Sequence, residues 1–175
     1  RAGLVLLQAA PDVFPLRAGG TSRIVVIEFA SYLESNVAES GGQTGFVSLL
    51  KQRLPDIDSV ALHPSEPNTE ALAHARTLAE SSDVLVLATR SAHLIPEQLE
   101  WAREYLNLAK RSILLCLRNP YDAAVLPGAD TVLCTCGDSR PSIQAVVAAL
   151  MEDFVPTGRL PVPVELNVSG SFVCK

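Results

Sequence analysis

No stretch of this sequence is apolar for long enough to cross a bilayer, since a membrane-spanning helix needs roughly 18 to 20 consecutive apolar residues. Clustered basic residues are also missing: the 14 Lys and Arg are scattered among 19 Asp and Glu, and the net charge is −5. Binding to nucleic acid phosphates draws its affinity from clustered Lys and Arg. We therefore expect neither a membrane nor a nucleic acid as a partner.

Several signatures of cofactor and nucleophile sites are absent as well. No Gly-x-Gly-x-x-Gly follows the first predicted strand, the glycines of 41–45 lack the Lys of a P-loop, and there is no Gly-x-Ser-x-Gly elbow. The three histidines, His63, His74 and His93, stand apart in the sequence, and no grouping has the spacing of metal ligands. The sequence thus predicts no cofactor and no metal site.

Cysteines are few, and none belongs to a paired metal-binding motif. The four are Cys116, Cys134, Cys136 and Cys174, and all lie among apolar residues. Free cysteine behaves as a small hydrophobic residue, so we expect buried thiols, with a Cys116–Cys134 bridge between neighbouring strands left open. Free thiols indicate a reducing compartment. We therefore expect a cytoplasmic location, with a periplasmic or extracellular one open for a longer parent protein.

What the sequence does contain is enough apolar side chains, 48% of 175 residues, to bury a core. Predicted strands and helices alternate, which is typical of an α/β fold with a doubly wound, flavodoxin-like, mostly parallel sheet and helices on both faces. Five strands are predicted at 23–29, 60–63, 83–89, 112–117 and 131–136. Helices are predicted at 46–53, 69–81, 96–110 and about 139–150, with a turn or short helix at 121–125. An additional edge strand is predicted at 162–168.

Three helix starts carry local signals. Asn68 or Thr69 can accept the free backbone N–H groups of a first turn, and so can Asp138 or Ser139. Pro96 suits a first helical turn because its fixed φ and missing N–H do no harm there. These residues set the predicted starts of three of the helices.

Candidate binding residues follow the predicted strands. In open α/β sheets, ligands gather at the carboxyl ends of the strands, where the strand order reverses. A flavodoxin-like order brings one group of polar residues to a single crevice, namely Glu28, Ser31, Thr89, Arg90, Ser91 and His93. Arg90 offers donors for a carboxylate, a phosphate or sugar hydroxyls, and His93 can hydrogen-bond a ligand. Arg118 and Asn119 follow the next strand on the same edge of the sheet.

Three interpretations of these residues stay open. They bind a ligand, or they are structural, or they contact another domain. In the structural interpretation Arg90 pairs with a nearby acid and His93 packs in a loop. Asn119, held extended by Pro120, then satisfies backbone groups in a turn.

Residues 83–164 carry a recognisable order of motifs. A strand at 83–89 is followed by Arg90-Ser91-Ala92-His93 and by a helix that begins with Pro96-Glu97-Gln98. A second apolar strand then ends in Leu117-Arg118-Asn119-Pro120-Tyr121-Asp122. The last motif is Pro156-Thr157-Gly158-Arg159-Leu160-Pro161-Val162. This order resembles the C-terminal α/β domain of glycoside hydrolase family 3, in its bacterial β-N-acetylhexosaminidase branch. Residues 4–16 resemble the segment that enters this domain. We therefore expect an entry segment over 1–22 and a single α/β domain over 23–175.

The resemblance implies that the catalytic residues lie elsewhere. Such enzymes carry their Asp nucleophile and Asp-His acid/base on a barrel domain, in a Lys-His-Phe-Pro-Gly-His-Gly type segment that this sequence lacks. A (β/α)8 barrel also needs about 250 residues. The resemblance thus implies an auxiliary domain of a β-N-acetylglucosaminidase-like enzyme of carbohydrate and cell-wall amino-sugar metabolism, with no catalytic residue and no activity when isolated.

The resemblance also bears on the candidate binding residues. Its expected partner is an N-terminal (β/α)8 barrel of the same parent protein, with a sugar as a possible ligand where the two domains meet. It favours contact with that barrel for Arg90, Ser91, His93, Arg118 and Asn119. The alternative is a free-standing α/β module that uses the same residues to bind a sugar or another small ligand.

Overall fold

The computed structural model describes residues 3–17, 22–30, 45–160 and 164. Within them, six strands form one sheet: β1 Leu4–Gln8, β2 Ile24–Phe29, β3 Asp58–Leu62, β4 Val84–Thr89, β5 Ser112–Cys116 and β6 Thr131–Thr135. The order across the sheet is β1-β6-β5-β4-β2-β3. The strands β2 to β6 are parallel and have the flavodoxin-like order, whereas β1 runs antiparallel to β6. The predicted fold class is confirmed.

Helices cover both faces of this sheet. They are α1 Phe46–Lys51, α2 Thr69–Ser81, α3 Pro96–Leu108, α4 Tyr121–Val125 and α5 Arg140–Leu150, with a 3₁₀ turn at Ala92–Leu94. Side chains of α1 and α5 pack on one face, and those of α2, α3 and α4 pack on the other. No helix in the described ranges is long and apolar enough to span a membrane.

Side chains point alternately to the two faces of the sheet along each strand, and an apolar core forms on each face. In β4, Val86 packs with the α1 and α5 side, while its neighbours Leu85 and Leu87 pack with the α2 and α3 side. Successive strand residues point to opposite faces, so a strand buried on both faces must be apolar throughout. Every residue of β4 is buried accordingly. The uninterrupted apolar run in the sequence therefore marks the middle of the sheet.

The sixth strand differs from the prediction. The edge strand predicted at 162–168 falls outside the described residues, apart from Val164. The structure instead places β1 at the edge, with Leu4 opposite Thr135 and Val5 opposite Cys134. Residues 4–8 had been assigned only to an entry segment, and no strand was predicted there. A run of four apolar residues followed by Gln8 becomes a strand here because the open edge of β6 can pair with it.

The helix starts follow the predicted signals with one difference. The side chain of Asn68 accepts a hydrogen bond from the backbone N–H of Ala71 at 2.7 Å, as expected of an N-cap. Ser139 occupies the N-cap position of α5, but its hydroxyl contacts the hydroxyl of Ser142 at 3.0 Å and makes no capping bond. The position of the second cap was predicted correctly, whereas its hydrogen bond was not.

Candidate functional site at the carboxyl rim

The carboxyl ends of β2, β4 and β5, with the residues that follow β4 and β5, form a continuous edge that we call the rim. Strands β2 and β4 lie side by side, with Glu28 opposite Ala88, although β3 lies between them in the chain. The chain after β2 continues to α1 on one face, whereas the chain after β4 continues to α3 on the other. This is the point where the strand order reverses, so the rim is where a ligand or partner of such a sheet is expected.

Arg90 is buried at this point and makes its contacts inside the domain. Its Nη2 lies 2.8 Å from Oε1 of Glu28, and its Nη1 donates to the carbonyl of Phe29. Its Nε forms an ion pair with Asp138 at 3.6 Å and has no hydrogen bond within the described part of the chain. Only 5% of Arg90 is exposed. The guanidinium therefore joins β2 to the segment before α5 and does not face solvent.

Two buried side chains extend this polar network. The second carboxylate oxygen of Glu28 accepts the backbone N–H of Val47 at 3.0 Å, at the start of α1. The backbone N–H of Arg90 donates to Oε1 of Gln98, whose amide donates to the carbonyl of Pro64 at 3.3 Å. Burial of these charged and amide groups is tolerated because their partners replace water. The network fixes the backbone at the ends of β2, β3 and β4.

A second cluster surrounds Asp122, in the first turn of α4. Asp122 is 1% exposed and has three hydrogen-bond contacts. Thr89 Oγ1 donates to its Oδ2 at 2.8 Å, and the backbone N–H of His93 donates to its Oδ1 at 3.1 Å. Nδ1 of the His93 ring lies 2.7 Å from the same Oδ1. The buried carboxylate therefore holds the imidazole in one orientation at the rim.

Beside this cluster the rim is polar in one part and apolar in another. Ser91 has a left-handed backbone, with φ of 61°, and its hydroxyl accepts the amide of Asn119 at 3.3 Å. Oδ1 of Asn119 accepts the backbone N–H of Tyr121, which closes the turn before α4. Tyr121 is 47% exposed, and its ring centre lies 5.4 Å from that of His93, while Leu94 is 72% exposed. Arg118 is exposed.

The structure thus divides the predicted rim residues into two groups. Ser91, His93 and Asn119 lie together around α4, whereas Arg90 points inward to Glu28. Ser31, predicted to join the crevice, lies outside the described residues. Asp122, Gln98 and Asp138 were missed by the sequence analysis. In the sequence Asp122 is only the last residue of a motif, and its contact with His93 is seen only in the structure.

The cysteines differ from the prediction at one position. Cys116 and Cys134 are buried free thiols on neighbouring strands, directly opposite each other, and no bridge joins them. A hydrogen bond with Cys134, together with burial, raises the pKa of the Cys116 thiol above its usual range. Cys136, predicted to be buried, is exposed because it lies just beyond the end of β6, in the turn that leads to α5. Cys174 lies outside the described residues.

Metal ligands do not converge in the part of the chain that the structure describes. Within it, no group of three or more His, Cys, Asp or Glu side chains is arranged to hold a metal ion. The carboxylates near the rim are held by other partners, Glu28 by Arg90 and Asp122 by Thr89 and His93. The accessible chemistry of the rim therefore consists of an imidazole, hydroxyls, an amide, the guanidinium of Arg118 and apolar side chains.

Comparison with known proteins finds similarity in the solved structures. No family model matches the chain, and no curated protein matches it. The chain superposes on a fungal multi-domain family 3 β-N-acetylglucosaminidase with a TM-score of 0.74 and 22% identity, over 98% of this chain and 19% of that chain. A glycoside hydrolase family 3 β-N-acetylglucosaminidase from Paenibacillus sp. str. FPU-7 gives 0.74 and 21%, over 94% of this chain and 31% of that one.

A β-glucosidase from Listeria innocua is similar too, with a TM-score of 0.65 and 16% identity, over 86% of this chain and 24% of that one. The chain thus spans between 19% and 31% of the length of these solved structures. At such identities the likeness establishes the fold. This chain therefore has the fold of one part of glycoside hydrolase family 3 chains, as the resemblance in its sequence predicts.

Proposed function

We propose that this chain is an auxiliary α/β domain of a β-N-acetylglucosaminidase-like glycoside hydrolase. In this proposal it is not catalytic by itself and packs through its rim on a (β/α)8 barrel domain that carries the catalytic residues. Its fold and its partial coverage of longer hydrolase chains support the assignment. The buried free thiols Cys116 and Cys134 support a reducing compartment, such as the cytoplasm.

The burial of the rim carboxylates carries this proposal. Glycoside hydrolysis needs an acid and a second carboxylate that both reach the glycosidic bond. Glu28 is 4% exposed and Asp122 is 1% exposed, and both are engaged by neighbouring side chains. Neither carboxylate can reach a glycosidic bond without losing its contacts with neighbouring side chains. These carboxylates therefore serve the architecture of the domain.

The apolar side chains on the rim support packing against another domain. Leu94 and Tyr121 are large hydrophobic residues that remain 72% and 47% exposed next to the cluster around Asp122. Apolar side chains at the centre of a contact and polar groups around it are typical of protein interfaces. We infer that these two side chains form the centre of the contact with the barrel.

Two measurements test the proposal. The isolated chain is expected to release no chromophore from a chromogenic N-acetylglucosaminide, and clear turnover by pure material would refute the auxiliary role. In the full-length parent, Leu94→Ser with Tyr121→Ser is expected to lower the melting temperature and the activity, while leaving the isolated domain folded. Val155→Ser is the matched control, because Val155 is also 72% exposed but lies beyond the end of α5, outside the rim as defined above.

A second candidate function is a free-standing module that binds a sugar at the rim. It is favoured by the pairing of the His93 ring with the half-exposed ring of Tyr121, since aromatic faces and oriented polar groups are common in ligand sites. Calorimetry with N-acetylglucosamine on the wild type and on Tyr121→Ala decides the matter. Heat that disappears in the variant supports the module, and no heat in either protein removes it.

A further inference from the structure

We propose that Asp122 is a positioning residue, which fixes the His93 ring so that its Nε2 atom is a hydrogen-bond acceptor at the rim. The group that binds to Nε2 is then a neutral donor, such as a hydroxyl or an amide N–H. This inference rests on the proposed function, because it names the chemistry of one contact in the rim.

The direction of each hydrogen bond to Asp122 follows from its neighbours. A backbone N–H can only donate, so Oδ1 accepts from His93 at 3.1 Å. The Thr89 hydroxyl donates to Oδ2 at 2.8 Å. An ionised carboxylate has acceptor sites only, and two oxygens provide about four of them. The third contact, with Nδ1 of His93 at 2.7 Å, must therefore also be donated to the carboxylate, by the ring.

A donating Nδ1 determines the state of the other ring nitrogen. In a neutral imidazole one nitrogen carries the proton and the other has a free lone pair. Since Nδ1 carries the proton, Nε2 is the acceptor. The His93 side chain is 18% exposed, and the structure describes no hydrogen bond to Nε2 among the residues that it covers. The lone pair is therefore available to a group that approaches the rim.

The surroundings of the ring favour a neutral donor over an anion. The Asp122 carboxylate contacts Nδ1 of the ring, and a second negative charge close to Nε2 would be repelled by it. Arg90, the cation that the sequence analysis assigned to anion binding, is buried against Glu28 and Asp138. Arg118 is the exposed cation of the rim, and the structure describes no contact between it and the His93 ring. Tyr121 contributes an apolar ring face beside His93. A hydroxyl or amide N–H satisfies the acceptor without adding charge.

His63 provides an internal comparison with the opposite geometry. Its Nδ1 accepts backbone N–H groups of Ser65 at 3.4 Å and Glu66 at 3.0 Å. An Nδ1 that accepts has no proton, so a neutral His63 ring carries its proton on Nε2. The two histidines are therefore predicted to be opposite tautomers in the same protein.

The test is nuclear magnetic resonance of the imidazole nitrogens in the ¹⁵N-labelled chain at neutral pH, with His93→Gln used to assign the signals. We expect a protonated Nδ1 and an unprotonated Nε2 for His93, and the reverse for His63. In Asp122→Ala, which removes the acceptor, the Nδ1–H form of His93 should cease to be the major species, while His63 is unchanged. A merely structural role of Asp122 would not move the tautomer.

Several results would overturn the inference. A wild-type His93 ring with its proton on Nε2 contradicts it directly, and so does a folded Asp122→Ala protein with an unchanged tautomer. If Asp122→Ala does not fold, Asp122→Glu displaces the carboxylate by one methylene and should cause the same loss. Inorganic phosphate should produce no saturable change in the His93 signals, and a saturable change would contradict the preference for a neutral donor.

This test distinguishes the inference from the proposed function. It uses the isolated chain and requires neither the barrel domain nor enzymatic activity. A wrong tautomer would leave the docking of the rim on a barrel untouched. Conversely, turnover by the isolated chain would refute the auxiliary role without changing the tautomer of His93.

Discussion

The ion pair between Arg90 and Glu28 is the contact most sensitive to single substitutions, because both side chains are buried. Removing one partner of a buried pair leaves an uncompensated charge and costs about 3 to 5 kcal/mol. We expect Arg90→Ala to lower the free energy of unfolding by about this amount, measured by urea denaturation. Arg23→Ala is the control: its ion pair with Asp58 is half exposed, so the loss should be about 0 to 1 kcal/mol.

The combination of Arg90→Met with Glu28→Gln gives a further check on this explanation. Replacing both members removes the unpaired charge, so the double variant should be more stable than Arg90→Ala. If Arg90→Ala is no more destabilising than Arg23→Ala, the buried pair does not hold the rim together.

Thiol reactivity is predicted to differ sharply between the cysteines. Thiolate is the reactive form, and the raised pKa of Cys116 keeps that thiol protonated at neutral pH. Burial also shields it from reagents. In a Cys174→Ser background we expect a maleimide to label Cys136, which is exposed, and to reach Cys116 and Cys134 only on unfolding. Mass spectrometry of the labelled peptides measures this order. Rapid labelling of Cys116 in the folded protein would contradict the buried arrangement.

At the scale of the elements, the two N-caps allow a matched comparison. Asn68 caps α2 with a hydrogen bond to the Ala71 N–H, while Ser139 at the start of α5 makes no such bond. Replacing a functional N-cap with Ala costs about 1 kcal/mol. We expect that loss for Asn68→Ala and a clearly smaller one for Ser139→Ala, both measured by urea denaturation. Equal losses would show that the serine caps its helix in solution.

The helices and central strands were predicted within two residues because their signals are local. The apolar periodicity and Pro96 lie within the elements that they define, and Asn68 immediately precedes its helix. β1 was missed for the opposite reason. Residues 4–8 do not pair with a strand close to them in the sequence. Their partner β6 lies more than 120 residues away.

At the scale of the whole molecule, β1 closes one edge of the sheet. It covers the hydrogen-bonding edge of β6 and buries Leu4 and Val5. We expect removal of residues 1–9 to lower the melting temperature and to promote concentration-dependent association, because an open strand edge pairs with other chains. Calorimetry and sedimentation measure the two effects. Removal of residues 1 and 2 alone serves as the control and should cause neither.

An unchanged melting temperature after removal of residues 1–9 would show that β1 is dispensable to the fold. Residues 4–8 would then be a segment that rests on the sheet without stabilising it. The same measurement therefore decides whether the α/β domain includes its first strand as a structural member.

The rim shows how far residue types alone can locate a site. Arg90, Ser91, His93 and Asn119 were predicted from their positions after strands, and they do lie at the carboxyl edge of the sheet. Their roles differ because burial separates them: Arg90 turns inward to Glu28, whereas His93 remains partly exposed. The position of a residue after a strand does not show whether its side chain will be buried or exposed in the folded protein.

By itself the sequence determined the alternation of strands and helices, the doubly wound class and the edge of the sheet on which polar residues gather. Each of these depends on signals within a few residues, such as apolar runs and caps. The tertiary structure alone decided the antiparallel pairing of β1, the inward turn of Arg90 and the placement of Asp122 beneath His93. These depend on contacts between residues about 30 to 130 positions apart, and only packing of the folded chain brings such residues together.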